Sequence, residues 1–325
     1  MNLVVYFFAD FLEEIMKERF FWFMLSSIKG LGINGVTRIY NKYAALGLSE
    51  HEISNLSAEE LSNEFNIELD ITEKIKNIYC SNELRLLYDK VLNAGINILL
   101  PGDKYYPERI KQIYKLPPLL YVKGNISLLN NSCIGISGSR NAGDEGRRYS
   151  YTLAGKATDE HLTVVSGFAR GIDESAHFGA ISNGGSTIIV LPTGMFTHWK
   201  KDALFENEDA CCTVSMFFPT LKFNKWTAVA RNHLIASLSD IMFIIEADKP
   251  SGSYMQGKIS LKLGRPIFVF DRDFKGNKSL IEKGAAPVNI HTVDKIFNSL
   301  EFFFPSINFI NSKYEVTEIW ETKAV

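Results

Sequence analysis

Cysteine is scarce in this chain, with four in 325 residues: Cys80, Cys133, Cys211 and Cys212. No two of them stand at a CxxC spacing. Neither a zinc knuckle nor the disulfide framework of a small secreted domain is therefore encoded, and reduced thiols in a cytoplasm are expected. The six histidines are scattered without ligand spacing, so no metal site is expected either. Charge of one sign is also missing. With 35 Lys plus Arg against 37 Asp plus Glu the formal net charge is -2, which excludes a generally basic coat but leaves room for a local cationic groove. No apolar run reaches the roughly 20 residues that a membrane-spanning helix needs. The aromatic N-terminus comes nearest, with Phe7, Phe8, Phe11, Phe20, Phe21, Trp22 and Phe23, but Asp10, Glu13, Glu14, Lys17, Glu18 and Arg19 interrupt it. It also lacks the basic start and small-residue cleavage site of a secretory signal. Residues 4–25 are expected to form an amphipathic helix packing on something, with a partner or a membrane surface as the alternative. Two phosphate-binding fingerprints are absent as well: neither GxGxxG nor GxxxxGK[ST] follows Ile136, so NAD enzymes and P-loop ATPases fit poorly.

What is present centres on residues 132–173. Cys133-Ile134-Gly135-Ile136 is a short apolar run that ends in Ser137-Gly138-Ser139-Arg140, and a helical pattern follows from Asp144 to Glu160. Leu162-Thr163-Val164-Val165 is a second such run, ending in Ser166-Gly167-Phe168-Ala169-Arg170-Gly171-Ile172-Asp173. Both runs predict strands. Each strand is left through Ser and Gly, with an arginine beside the next helix start. That arrangement suits an anion, because glycine lets the backbone approach, helix-start N–H groups point outward, and arginine supplies a forked charge. Ordinary strand-to-helix turns with solvated arginines are the plainer alternative.

Further strands are predicted at 186–191, at Cys212 to Met216 and at 241–245, with another at Ile267-Phe268-Val269-Phe270; helices are predicted from Asp173, over Trp226 to Ser237, and from Ser251-Gly252-Ser253 to Leu263. Alternation of this kind calls for a parallel sheet with covered faces, whose carboxyl-end loops lie in a row. Several anion cradles in a row fit a long polyanion better than a mononucleotide. Ahead of this region, residues 20 to about 88 read as short helices. They include a Gly-containing hairpin at Ile28-Lys29-Gly30-Leu31-Gly32 and capped starts at Ser57 and Asp70. Between the two, 96–100 and 119–124 read as strands held at an edge by their prolines.

Laid out in order, these segments resemble the bacterial DNA-processing protein A family, DprA/Smf. The similar residues are Tyr106-Pro107, Pro117 to Gly124, Gly138-Ser139-Arg140, Ser166 to Asp173 with Ala176-His177, Gly184-Gly185, Arg231-Asn232, Glu246-Ala247, Ser251-Gly252-Ser253, Gly264-Arg265, and Leu280-Ile281 with Gly284-Ala285. The resemblance implies an α/β fold: an extended, Rossmann-like, doubly wound and mostly parallel sheet preceded by a small all-α domain. In this division residues 1–92 are helical, 93–297 form the Rossmann-like domain, and 298–325 are a tail too short for a full winged helix. It implies a cytoplasmic, non-catalytic homodimer that needs no cofactor, binds single-stranded DNA and loads a RecA-type recombinase onto it during DNA uptake and recombination. By the same resemblance the phosphate contacts are Gly138, Ser139, Arg140, Ser166, Gly167, Arg170, Gly171 and Arg231, with Asn232 and Ser253 in a second rank. Phe168 or Trp199 could stack a base, although an aromatic at either place also suits a core.

The chain departs from the family pattern at several points. His233 stands where a second arginine is usual, Met216 follows Ser215 where a Glu is usual, and Phe270-Asp271 replaces a Pro-Gly. These departures leave two other readings: a nucleotide enzyme or sensor akin to Rossmann-like phosphoribohydrolases, and a defence-associated module with a changed ligand. Leu191-Pro192-Thr193-Gly194-Met195 lacks the double glycine and Glu of the phosphoribohydrolase pattern. His177 has no nucleophile or orienting carboxylate placed beside it in sequence, so it is expected to make a structural hydrogen bond.

Overall fold

The computed structural model describes residues 16–78, 81–111, 118–198 and 207–300. In chain order the strands are β1 (Asn97–Leu99), β2 (Leu120–Gly124), β3 (Cys133–Ser137), β4 (Thr163–Ser166), β5 (Thr187–Val190), β6 (Cys211–Ser215), β7 (Ile241–Ile244), β8 (Ile267–Phe270) and β9 (Ala286–Val288). Contacts divide the chain into two compact units, residues 1–130 with 191–231, and residues 131–190 with 232–325.

The second unit carries the α/β architecture. Its strands pair in the order β5, β4, β3, β7, β8, β9, and every pairing is parallel. Parallel strands need crossovers, and the helices Asp144–Asp159, Ile172–Ser182, Gly252–Lys262 and Lys275–Glu282 supply them. The helices cover the sheet, which is why β4, β5, β7 and β8 are buried at every residue and read as continuous apolar runs rather than alternating ones. From β3 the chain moves outward through β4 to β5, then returns to place β7 against the other side of β3. The strand order therefore reverses between β3 and β7, and the crevice outside their carboxyl ends is where such sheets take ligands. Ile134, Leu153, Val164, Phe243 and Phe268 pack in one core beneath it.

Asn277 closes this edge from below. Its side-chain N–H groups donate to Ile245 O at 3.0 Å and Phe270 O at 2.7 Å, while its oxygen accepts from Ala247 N–H at 2.7 Å. One buried amide thus ties the end of β7 to the end of β8.

The first unit is helical at its start. Helices Gly32–Leu46, Glu50–Asn55, Ala58–Phe65, Leu69–Ile78 and Asn82–Asn93 follow a helix over residues 16–27. Ser49 and Ser57 each form a reciprocal capping box, with Glu52 and Glu60. The expected cap at Asp70 is not one, since the helix begins a residue earlier at Leu69. Its strands β1, β2 and β6 pair antiparallel in that order, so the Pro-flanked β1 lies at an edge as expected, whereas β2, expected at an edge too, is paired on both sides.

The aromatic N-terminal helix differs from the amphipathic expectation. Residues 4–15 lie outside the described part, but Phe20 to Leu25 are six consecutive buried side chains. A stretch buried on every side packs into a core, as packing on something requires, rather than lying on a membrane surface. Trp22 meets Tyr40 and Tyr43 edge-on at 5.0 and 5.2 Å, and Phe23 lies 5.0 Å from Phe218 and 5.3 Å from Tyr88. Arg19 fixes the polar side, bonding Asp103 at 2.6 Å and Ile98 O at 3.0 Å. Among the described residues no helix is long and apolar enough to cross a membrane.

Candidate nucleic-acid interface

Three loops leave the carboxyl ends of the neighbouring strands β4, β3 and β7. The first two are locked together. Gly171 takes φ +86° and ψ -118°, a conformation that only glycine adopts readily. A Cβ there would lie 2.5 Å from Ser139 O and 2.9 Å from Arg140 O, so the Arg170-Gly171 backbone rests directly on the Ser139-Arg140 backbone. Ile172 N–H donates to Ser139 O at 3.2 Å, and a Cβ on Gly138 would strike the Ile172 side chain at 2.5 Å. The glycines at 138 and 171 are thus required by one close approach.

Hydroxyls shape these loops from within. Ser166 is wholly buried and donates to Ile136 O at 2.6 Å, joining β4 to β3. Ser139 Oγ accepts from Asn141 N–H at 3.1 Å. The helix predicted from Asp173 starts a residue earlier, at Ile172, and Ala169 N–H points to the Asp173 carboxylate at 3.5 Å. Gly167 is buried, whereas Arg140 and Arg170 are exposed. Among the described residues neither guanidinium has an ion-pair partner. Two uncompensated arginines therefore sit on two touching loops at the sheet edge, each able to present a fork to a phosphate.

The third loop joins the others through Ile245 N–H, which donates to Ser137 O at 3.0 Å. Ser253 is buried and spends its hydroxyl on Glu246 O at 3.2 Å, while Ser251 caps the following helix by accepting from Tyr254 N–H at 3.1 Å. Asn232 donates to Gly252 O at 3.3 Å, so the second-rank residues Asn232 and Ser253 meet at this loop. Arg231 is buried on the helix Lys225–Leu238 and belongs to the first unit. The structure thus brings Gly138, Ser139, Arg140, Ser166, Gly167, Arg170 and Gly171 together, with Asn232 and Ser253 one strand away.

A carboxylate also lies here. Glu246 is buried, and burial raises its pKa despite the opposing effect of Arg272. Arg272 bonds Glu246 at 2.5 Å and Glu145 at 2.7 Å, with its guanidinium 5.5 Å from the Tyr149 ring centroid. Tyr149 hydrogen bonds Glu145, which with Arg272 holds that carboxyl below its usual range. Glu246 reaches Arg272 through the space above Gly146, where a Cβ would collide with its carboxylate. Arg272 is not among the residues that the sequence points to. Its only signal there is the replacement of a Pro-Gly by Phe270-Asp271.

His177 makes the expected structural hydrogen bond. Thr187 donates its single hydroxyl proton to Val164 O at 2.9 Å, so its oxygen accepts from His177 Nδ1–H at 2.7 Å. Phe168 lies 6.0 Å from the His177 ring, with its backbone at φ +62°. Trp199 lies outside the described residues. No group of three or more His, Cys, Asp or Glu among the described residues is placed to hold a metal ion.

Comparison with known proteins matches residues 97–301 to the family model for DNA recombination-mediator protein A. The chain is 31% identical over 244 residues to the DNA processing protein DprA of Bacillus subtilis, covering 70% of this chain and 82% of that protein. Among solved structures it is similar to DNA processing protein A of Streptococcus pneumoniae, with a TM-score of 0.69 and 25% identity over 82% of this chain and 94% of the other. It is also similar to that of Helicobacter pylori, whose single-stranded DNA binding mode has been described, with a TM-score of 0.55 and 26% identity over 63% and 95%. A parallel sheet that reverses between β3 and β7, the paired Gly-Ser-Arg and Ser-Gly-x-x-Arg-Gly loops at that edge, and a family match running through all of them place this chain in the DNA recombination-mediator protein A family.

Proposed function

We propose that this chain binds single-stranded DNA along the carboxyl edge of its parallel sheet and acts without catalysis in DNA uptake and recombination. The observation that carries this reading is the pair of exposed guanidiniums of Arg140 and Arg170, without ion-pair partners among the described residues, on two loops in direct backbone contact. Their fixed charges and the small residues around them suit a sugar-phosphate backbone, and sequence-tolerant, salt-sensitive binding follows. The described binding mode of the Helicobacter pylori relative supports the same ligand. Loading of a RecA-type recombinase, action as a homodimer and a cytoplasmic location complete the proposal. Asn232 and Ser253 shape the loop beside the paired arginines in this reading.

Fluorescence anisotropy with oligo-dT and with duplex DNA of equal length tests the ligand. The expected result is preference for the single strand, with no competition from ATP or cyclic nucleotides. Preference for a small nucleotide would instead favour an enzyme or sensor. Sedimentation tests the dimer, and strand-exchange assays with a purified recombinase test the loading.

A further inference from the structure

The helix Gly252–Lys262 opens beside the third loop and contains no Asp or Glu. Lys258 and Lys262 stand one turn apart on it, both exposed. Lys249, in the loop before it, and Lys258 place their ammonium groups 5.6 and 5.9 Å from the ring centroid of Tyr254. The ring is a fixed point, for it is buried and its hydroxyl lies 3.1 Å from Ser279 Oγ. Lys283, just past the helix Lys275–Glu282, is exposed as well.

The same charges act on the Tyr254 hydroxyl. The Tyr254 phenol has its pKa lowered, first by the Ser279 hydrogen bond and then by the fields of Lys249, Lys283 and Lys258. Two other lysines of this unit are paired, Lys156 with Asp294 and Lys278 with Asp273 at 2.6 Å. Among the described residues Lys249, Lys258, Lys262 and Lys283 have no ion-pair partner. Lys249 stands on the third loop, which Ile245 N–H ties to Ser137 O at the start of the Gly138-Ser139-Arg140 turn.

We propose that Lys249, Lys258, Lys262 and Lys283 form a second phosphate track, which carries an unpaired polynucleotide outward from the arginine loops along the helix Gly252–Lys262. Compact, hydrated ammonium groups on flexible stems suit such a track, since they follow a mobile backbone without reading sequence. This inference rests on the proposed single-stranded DNA binding and extends it to a site size longer than the loops alone supply.

The test is a length series. Oligo-dT of about 6 nucleotides fills the loops alone, whereas about 20 nucleotides reaches the lysines, given the handful of nucleotides that one such surface takes. Wild-type protein is expected to bind the long oligonucleotide more tightly. The variant Lys258→Gln/Lys262→Gln/Lys283→Gln is expected to match wild type on the short one. On the long one it should lose about tenfold in affinity and about 2 units of salt slope, near 0.7 for each phosphate no longer neutralised. Equal binding of the long oligonucleotide by variant and wild type overturns the track and leaves the loops standing, as does an equal loss on both lengths. Failure of wild type to bind either length overturns both readings.

Discussion

The space that a Cβ would occupy on Gly171 lies 2.5 Å from the carbonyl oxygen of Ser139. That approach fixes the spacing of two arginines carried by different strands, because Arg140 and Arg170 adjoin the touching backbones. An anion site assembled from two loops needs such a fixed distance, since mobile loops would lose binding energy to ordering. Position 171 therefore serves the fold and the ligand together.

Gly171→Ala is expected to cost about 1–3 kcal/mol for the disfavoured backbone, with the clash against Ser139 and Arg140 adding to it. Oligo-dT affinity should fall as well, because the loops must separate. Urea denaturation and anisotropy on the same sample check both, and a variant of wild-type stability and affinity would show that the loops are not in register.

Asn277→Leu should be among the more destabilising single changes in the second unit. The substitution strands Ile245 O, Phe270 O and Ala247 N–H in a buried place, at about 1–3 kcal/mol for each group left unsatisfied. The measurement is the denaturation midpoint, with Ser279→Ala as a nearby comparison that removes a single side-chain hydrogen bond.

Arg272→Gln is expected to make stability depend on pH in a defined direction. Burial already raises the pKa of Glu246, and Arg272 opposes that rise. Removing the arginine raises it further, so the penalty for a buried carboxylate is present at neutral pH and is relieved as pH falls through the raised pKa. Glu145 faces the same guanidinium and Asp248 adds a like charge; both then act in the direction of that rise. The stability gap between wild type and variant should therefore be wider at pH 7 than at pH 5. A gap that is constant or widens on acidification would contradict this arrangement.

Strands β1 to β8 are legible in the sequence, and covered parallel strands leave unbroken runs such as Ile267-Phe268-Val269-Phe270, with predicted ends that hold within a residue or two; the three-residue β9, with Pro287 in it, is not predicted. The loops are legible for a related reason. Ser-Gly-x-x-Arg-Gly records a backbone conformation, and Gly171 at φ +86° is what the motif encodes. Tertiary packing is not legible. Residues 4–25 read as an amphipathic helix packing on something, yet Phe20 to Leu25 are buried on every side, because Tyr40, Tyr43, Tyr88 and Phe218 from distant parts of the chain pack around Trp22 and Phe23. Asp70 and Asp173 carry capping chemistry, but their helices begin a residue or two earlier, and helix ends depend on such margins. Ser166 and Ser253 look like phosphate donors by residue type, whereas their hydroxyls hold the loops from inside. Arg272 and Asn277 are hard to read at short range, since their partners Glu145, Glu246, Ile245 and Ala247 lie on other elements.

Salt dependence of oligo-dT binding by Arg140→Ala/Arg170→Ala is the measurement on which the proposed interface stands. Both side chains are exposed and make no ion pair among the described residues, so the variant should fold as wild type does. Its affinity is expected to drop, and the slope of log affinity against log salt should flatten by about 1.4, near 0.7 for each single-strand phosphate that the missing guanidiniums no longer neutralise. A folded double variant with unchanged affinity and unchanged slope would contradict strand binding at these loops.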